Sequence, residues 1–263
     1  DMSKVYFHGN NKSNKEIEEA LELGVGYFVI DNVMECRRLI EIAMEKHIQT
    51  KALLRVNPGI SAHTHEYIMT AKPDSKFGIF IDDTEHIGQV IELLAESSHV
   101  RLAGFHSHIG SQIMDARSFE KAIDTMTYFL AYVQREYGME QTELSIGGGF
   151  GIKYLPEHDP VEYDRYMQRV ARTVQRVSAA RGVKTPFIVI EPGRSIAGPA
   201  GVTLYTAGAV KEIPGVRTYV SIDGGMCDNP RYILYRSEYE AMVANKASQP
   251  KTRTVTLAGK CCE

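Results

Sequence analysis

The run Tyr27-Phe28-Val29-Ile30-Asp31-Asn32-Val33-Met34-Glu35 carries the fold in miniature. Its first four residues are apolar and β-favouring, and read as a short buried strand. Asn32 with Glu35 three residues later reads as a helix start: the amide side chain caps an orphan backbone N–H, and the acid sits in the first turn. The same unit recurs in both directions along the chain. Val5-Phe7, Ala52-Val56, Leu102-His106, Glu143-Ile146 and Phe187-Ile190 are further strand candidates. Ser13 and Glu16 form a capping box ahead of Ile17, Ala20 and Leu21, and Gly24 ends that helix. Asp159, Pro160 and Glu162 supply an N-cap, a first-turn proline and a capping partner for a helix that Gly182 closes.

Strands that alternate with helices pair in parallel through right-handed crossovers. About six units satisfy an open doubly wound sheet, whereas a closed barrel needs eight strands and typically about 250 residues. Spacing leaves both architectures open. After Gly198 the pattern changes. Val202-Val210, Arg217-Ile222 and Thr252-Leu257 are strand-like with almost no helix before Glu238, which reads as the start of a separate β domain.

Composition narrows the function. At 263 residues, 43% hydrophobic and 24% charged, the chain has the balance of a soluble protein with a full core. A formal charge of -3 without any basic run excludes an electrostatic nucleic-acid binder. No apolar stretch reaches the roughly 20 residues that span a bilayer. No charged-then-apolar leader is read at the start, and Cys36, Cys227, Cys261 and Cys262 form no C-x-x-C pair, so a reducing cytoplasm is the expected compartment.

In α/β barrels, functional residues gather at the carboxyl ends of the strands. Phe105-His106-Ser107-His108-Ile109-Gly110-Ser111-Gln112 places two imidazoles and a Gly-Ser pair at one such end. By period-two alternation His106 and His108 project to the same side, where an imidazole can stack on a flat ring or bind a metal. Gly147-Gly148-Gly149 follows another strand, and consecutive glycines let backbone amides converge on an anion; tight turns use the same residues. Glu191-Pro192-Gly193-Arg194 ends a third, where a carboxylate is costly unless paired. It reads either as a surface Glu191–Arg194 pair, or as a carboxylate for a ring nitrogen with an arginine for an anionic substrate.

Together these segments, with Cys262-Glu263, occur in the order found in the alanine-racemase-like, fold type III decarboxylases, which the chain resembles along its whole length. His8-Gly9-Asn10-Asn11-Lys12-Ser13, Ser75-Lys76-Phe77-Gly78 and Met226-Cys227-Asp228-Asn229-Pro230-Arg231 resemble the diaminopimelate decarboxylase branch in particular. The resemblance implies a (β/α)8 TIM-type barrel over residues 1–200, lacking its first strands, and part of a C-terminal β domain over 201–263. It implies pyridoxal 5'-phosphate as cofactor and decarboxylation of meso-2,6-diaminopimelate to L-lysine, the last step of lysine biosynthesis. His108, Ser111, Gly147, Gly148, Gly149, Glu191, Gly193 and Arg194 match the cofactor positions. Arg194, Arg231, Tyr235 and Glu263 match substrate positions, and Cys262 matches the catalytic proton donor. A homodimer with shared active sites is implied, with no nucleic-acid or membrane partner.

The family's cofactor-carrying lysine lies in a Tyr-Ala-x-Lys motif, and no lysine of this sequence has that context. The expectation is therefore an internal fragment whose lysine lies upstream of residue 1, unstable and inactive alone; Lys12, Lys51, Lys76 and Lys153 read as solvated or structural. A weaker alternative is a metal-dependent hydrolase, with ligands among His106, His108, His63, His65, Asp223 and His158. It leaves the triple glycine and Glu191-Pro192-Gly193-Arg194 unexplained. A non-catalytic relative that binds pyridoxal phosphate without turnover is the other alternative.

Overall fold

The computed structural model describes residues 1–60 and 75–261. Two compact units are formed, one by Asp1–Gly151 with Pro160–Ser195 and one by Ile152–Asp159 with Ile196–Glu263.

The first unit is a parallel α/β sheet. Strands β1 (Tyr6–Phe7), β2 (Tyr27–Ile30), β3 (Thr50–Asn57), β5 (Val100–His106), β6 (Glu143–Ser145) and β7 (Phe187–Val189) lie side by side in sequence order, and the short β4 (Ile79–Phe80) pairs with the end of β3. Helices α1 (Asn14–Glu22), α2 (Val33–Glu45), α3 (Thr84–Glu96), α4 (Ala116–Tyr137) and α5 (Tyr163–Arg181) supply the crossovers. Strand order that never reverses is the winding of a barrel, since a doubly wound sheet turns back at its switch point. The described strands make a half-barrel of the TIM type, which decides between the two architectures that spacing left open.

Local chemistry sets the helix ends. The Ser13 hydroxyl accepts from the Glu16 amide (3.3 Å) while the Glu16 carboxylate accepts from the Ser13 amide (2.8 Å). Asn32 caps α2 by accepting from the Glu35 amide at 2.9 Å. Gly24 and Gly182 take positive φ of 75° and 65° at the ends of α1 and α5, the left-handed turn that glycine makes without strain. One expected cap is corrected. Helix α5 begins at Tyr163 with Glu162 at the N-cap and no side-chain bond there, so Asp159 and Pro160 belong to the preceding loop. The Pro160 ring restricts Asp159 to extended backbone and does not set the helix start.

Phe28, Ile30, Ala52, Leu54, Val56, Leu102, Phe105 and Leu144 join the buried apolar cluster with Ile17, Leu39, Val90, Phe119 and Met126 of the helices. The opposite face of the sheet is polar. There the Tyr6 and Tyr27 rings stack at 4.3 Å, and both hydroxyls donate to Glu143, at 2.9 and 2.8 Å. Lys51 donates to the Tyr27 hydroxyl at 3.0 Å. Burial, and then the Glu143 carboxylate, raise the Tyr6 pKa, so Tyr6 remains a donor.

The second unit holds a small mixed sheet. Strands β8 (Ala207–Ile213) and β9 (Arg217–Ile222) are antiparallel, and β10 (Thr256–Ala258) runs parallel to β9. The expected strand at Val202-Val210 starts later, at Ala207, and the one at Thr252-Leu257 is shorter. The five-residue helix α7 (Arg231–Tyr235) was not expected from sequence; the short α6 (Gly193–Ala197) opens on the Glu191-Pro192-Gly193-Arg194 segment.

Candidate active site

A bulge in β5 aims the first functional side chain. Ala52 pairs with Leu102 but Leu53 pairs with Gly104, so Ala103 is an extra residue. Simple alternation from Leu102 would send His106 toward the helices; the extra residue turns it to the polar face, opposite Arg55 and Ser145.

His106 is only 1% exposed and points Nε2 at Glu191 Oε1 (3.2 Å). His8, just past β1, places its Nε2 3.3 Å from the same oxygen, and the two rings meet edge to face at 4.8 Å. Ser145, the last residue of β6, donates its hydroxyl to Oε1 at 2.8 Å. Three strand ends thus converge on one carboxylate oxygen. Burial would raise the Glu191 pKa, but the imidazoles of His106 and His8 beside its oxygen outweigh it and hold the carboxyl well below the ordinary range. Burial lowers the His106 pKa to about 4, so at neutral pH a neutral imidazole faces an ionised Glu191. Arg55 on β3 adds positive charge to this region. It lies 3.8 Å from Asp31, which accepts from the Gly78 amide at 2.9 Å, and it stacks over Phe77 at 4.6 Å. The Ser75-Lys76-Phe77-Gly78 segment therefore locks Arg55 in place.

His108 is separate. Its Nδ1 accepts from the Gly148 amide at 3.3 Å, which leaves the proton on Nε2. Burial lowers its pKa to about 4 as well, giving a neutral ring. The glycine run is woven between its neighbours: Glu191 N donates to Gly147 O and Ile113 N to Gly149 O, both at 2.9 Å. A Cβ on Gly148 would lie 2.0 Å from Glu191 O, and one on Gly149 2.0 Å from Gly110 O. Gly147 and Gly149 also take φ of 68° and 92°. The Gly147 amide meets Ser145 Oγ at 3.3 Å, so two glycine amides hold protein side chains here. Gly193 differs, because a Cβ there would meet nothing within 4 Å. Beside it Arg194 donates to Ser111 Oγ from Nε (3.3 Å) and Nη2 (3.0 Å).

In the second unit Arg231 donates to the Tyr239 hydroxyl at 3.0 Å and lies over the Tyr235 ring at 5.3 Å. Cys262 and Glu263, like His63 and His65, lie outside the described residues. His8, Arg55, Asp31, Ser145 and Tyr239 were not singled out as site residues from sequence. His8 and Ser145 do stand within segments that were, and their positions at strand ends are the signal that finds them. Lys12 proves structural: it is buried, donating to Glu35 (2.6 Å), Val29 O (2.7 Å) and Gly9 O (2.9 Å).

The residues present suit a pyridoxal cofactor. An ionised carboxylate at a strand end, a neutral imidazole nearby, a serine–arginine pair and a glycine with open space above it are the features such a ring and phosphate require. His8 and His106 also make no well-aligned hydrogen bond through their buried nitrogens among the described residues, leaving polar capacity for a guest.

Residues 1–198 match the family described as pyridoxal-dependent decarboxylase, pyridoxal binding domain. Over 262 residues the chain is 44% identical to a diaminopimelate decarboxylase of Halalkalibacterium halodurans, covering 100% of this chain and 60% of that protein. The Bacillus subtilis enzyme of the same name is 43% identical, covering 99% and 59%. Among solved structures, diaminopimelate decarboxylase from Helicobacter pylori complexed with L-lysine superposes with a TM-score of 0.85 at 26% identity, covering 100% of this chain and 62% of that one. The chain thus spans about three fifths of the length of these relatives. It belongs to the pyridoxal-dependent decarboxylases, and carries their pyridoxal-binding domain in residues 1–198.

Proposed function

We propose that this chain forms the main body of a diaminopimelate decarboxylase, which releases CO2 from meso-2,6-diaminopimelate to give L-lysine, the last step of lysine biosynthesis. The observation that carries the reading is Glu191, kept ionised beside two imidazoles and the Ser145 hydroxyl from three strand ends within the pyridoxal-binding domain. Pyridoxal phosphate, when bound, supplies a conjugated ring that takes up the electron pair left as CO2 departs. Glu191 would hold a proton on the ring nitrogen, which needs an anionic partner to stay charged. His108, neutral and fixed by Gly148, would lie against the ring face. Ser111, Gly149, Gly193 and Arg194 would hold the phosphate, with Gly147 and Gly148, whose amides engage Ser145 and His108, shaping the turn that brings it near.

Arg194, Arg231 and Tyr235 would bind the distal carboxylate of the substrate, Glu263 its distal ammonium, and Cys262 would return a proton to the α-carbon. A thiol suits that step because its ordinary pKa of about 8.5 leaves it protonated near neutrality. Residues 1–200 would serve as the cofactor barrel and 201–263 as part of the β domain. Two copies would share active sites, with Cys262 and Glu263 crossing the interface, in the cytoplasm. Among the described residues no helix is long and apolar enough to cross a membrane. Because no lysine has the Tyr-Ala-x-Lys context, residues 1–263 by themselves are expected to show no turnover.

The test is CO2 and L-lysine release by the full-length gene product with pyridoxal phosphate, given meso-diaminopimelate or ornithine. Release from the first and not the second supports the reading. Ornithine turned over in preference would replace it with a decarboxylase that has no use for a distal carboxylate site.

A further inference from the structure

We propose that His8, His106 and Glu191 form a three-ligand site for a divalent first-row ion, Zn2+, which occupies the chain when the cofactor is absent. The ligand atoms are His8 Nε2, His106 Nε2 and a Glu191 carboxylate oxygen, all within 4.8 Å of one another. Glu191 Oε1 stands 3.3 Å from one nitrogen and 3.2 Å from the other. With Zn–N and Zn–O bonds of about 2.0–2.1 Å, the edge of a tetrahedron is about 3.3 Å. Two of its three protein edges are therefore already at length, and only the two imidazoles must draw together.

Three further observations support an ion. Buried polar atoms in folded proteins nearly always have well-formed partners, yet each Nε2 meets only Glu191 Oε1, at 3.3 and 3.2 Å, and makes no aligned hydrogen bond among the described residues. The donor set, two imidazoles and a carboxylate with an open fourth position, is the set that borderline divalent ions favour. The ligands also have support. Each sits at the end of a different strand, and Ser145 fixes Oε1 by donating at 2.8 Å, as outer-shell donors do for metal carboxylates. Arg55 opposes an added cation, but its charge already faces Asp31 at 3.8 Å. This ligand set replaces the one expected from sequence: His106 joins His8 and Glu191, while His108 turns to Gly148.

The consequence rests on the proposed function. Glu191 cannot serve an ion and a pyridine nitrogen together, so Zn2+ and pyridoxal phosphate exclude one another, and zinc keeps the chain cofactor-free.

Co2+ is the probe, because a four-coordinate nitrogen–oxygen site gives visible d–d absorption and a thiolate site adds a sulfur charge-transfer band. The full-length gene product, stripped of cofactor, is titrated with Co2+, then Zn2+ is added to displace it. A d–d band without sulfur charge transfer is expected, weakened at least about 10-fold in apparent affinity by His8→Gln and His106→Gln, and about 10–100-fold by Ser145→Ala. His86→Gln, at an exposed His86–Asp83 pair, should change nothing. His8 is half-buried, so its variant keeps the test open if His106→Gln fails to fold. A band indifferent to both histidines, or one with sulfur character from the Cys227–Cys261 pair, overturns the site. Pyridoxal phosphate then tests the exclusion alone. Loss of the band on adding cofactor supports it, and a band that persists beside bound cofactor overturns it and the placement of the ring nitrogen at Glu191, whatever the histidine variants show.

Discussion

Gly148 and Gly193 are both cofactor candidates, but they are glycines for different reasons. At Gly148 a Cβ would fall 2.0 Å from Glu191 O, a backbone atom that cannot move aside without shifting β7. Gly148→Ala should therefore lower stability by about 1–3 kcal/mol, as overpacked sites do, and would be seen in the urea midpoint. At Gly193 a Cβ meets nothing, so Gly193→Ala should leave that midpoint within about 0.5 kcal/mol of the parent while weakening pyridoxal phosphate binding. Equal cofactor affinity in Gly193→Ala and parent would remove Gly193 from the phosphate site. Glu191→Gln keeps an oxygen for Ser145 but removes the charge. It should reduce CO2 release by the full-length protein by about 100-fold or more with substrate KM little changed, as loss of a preorganised electrostatic partner does. An unchanged rate would mean that another group protonates the ring. Glu191 was legible in the sequence because a charged residue after Phe187-Ile190 demands a partner. That His8 and Ser145 meet it was not, since their strand-end positions are visible but their convergence depends on sheet register, and His106 reached Glu191 through a bulge that no local pattern announces.

At the scale of elements, Lys12 ties three pieces together. Its ammonium spans Gly9 O after β1, Val29 O on β2, and Glu35 in the first turn of α2. Burial raises the Glu35 pKa despite the nearby ammonium, so the carboxylate depends on Lys12 to remain charged. Lys12→Met leaves Glu35 buried without a counter-ion, with the Asp31 amide as its remaining donor, and should destabilise by about 3–5 kcal/mol. Lys12→Met with Glu35→Leu removes both charges and should recover much of that loss. If the double variant were no more stable than the single one, the backbone carbonyls and not Glu35 would be the partners that matter. Sequence reading assigned Glu35 to a capping role, and most of it holds: its amide is capped by Asn32 and its carboxylate accepts from the Asp31 amide at 3.2 Å, but the same oxygen also takes the Lys12 ammonium. Capping boxes are written in four consecutive residues and are legible; a clamp between residues 23 positions apart is not. The missed start of α5 has the same cause, because the Asp159-Pro160 signal is local and the loop Ile152–Asp159 packs with the second unit.

At the scale of the whole molecule, the order of strands is what spacing could not give. Alternating strands and helices suit a doubly wound sheet and a barrel equally, and only long-range pairing, β3 with β5 and β5 with β6, shows that the winding never reverses. That winding gathers titratable groups on one face of the sheet, and the gathering has a pH signature. His106 and His108 are lowered by burial to about 4, below the ordinary imidazole value of about 6.5. On acidification the unfolded chain therefore takes up these protons first. Stability should be flat above about pH 6.5 and fall as pH drops from there toward 4, by up to about 3 kcal/mol for each imidazole. Glu191, held below the carboxylate range, adds in the same direction further down: its contribution is present above about pH 4.5 and is lost as acid titrates it in the fold. Melting midpoints measured from pH 8 to pH 4 should show a plateau and then this decline, with a shallower decline between 6.5 and 4 in His108→Gln. Should the variant and parent decline in parallel, His108 would not be buried neutral, and the flat uncharged ring expected against the cofactor would have to come from another residue.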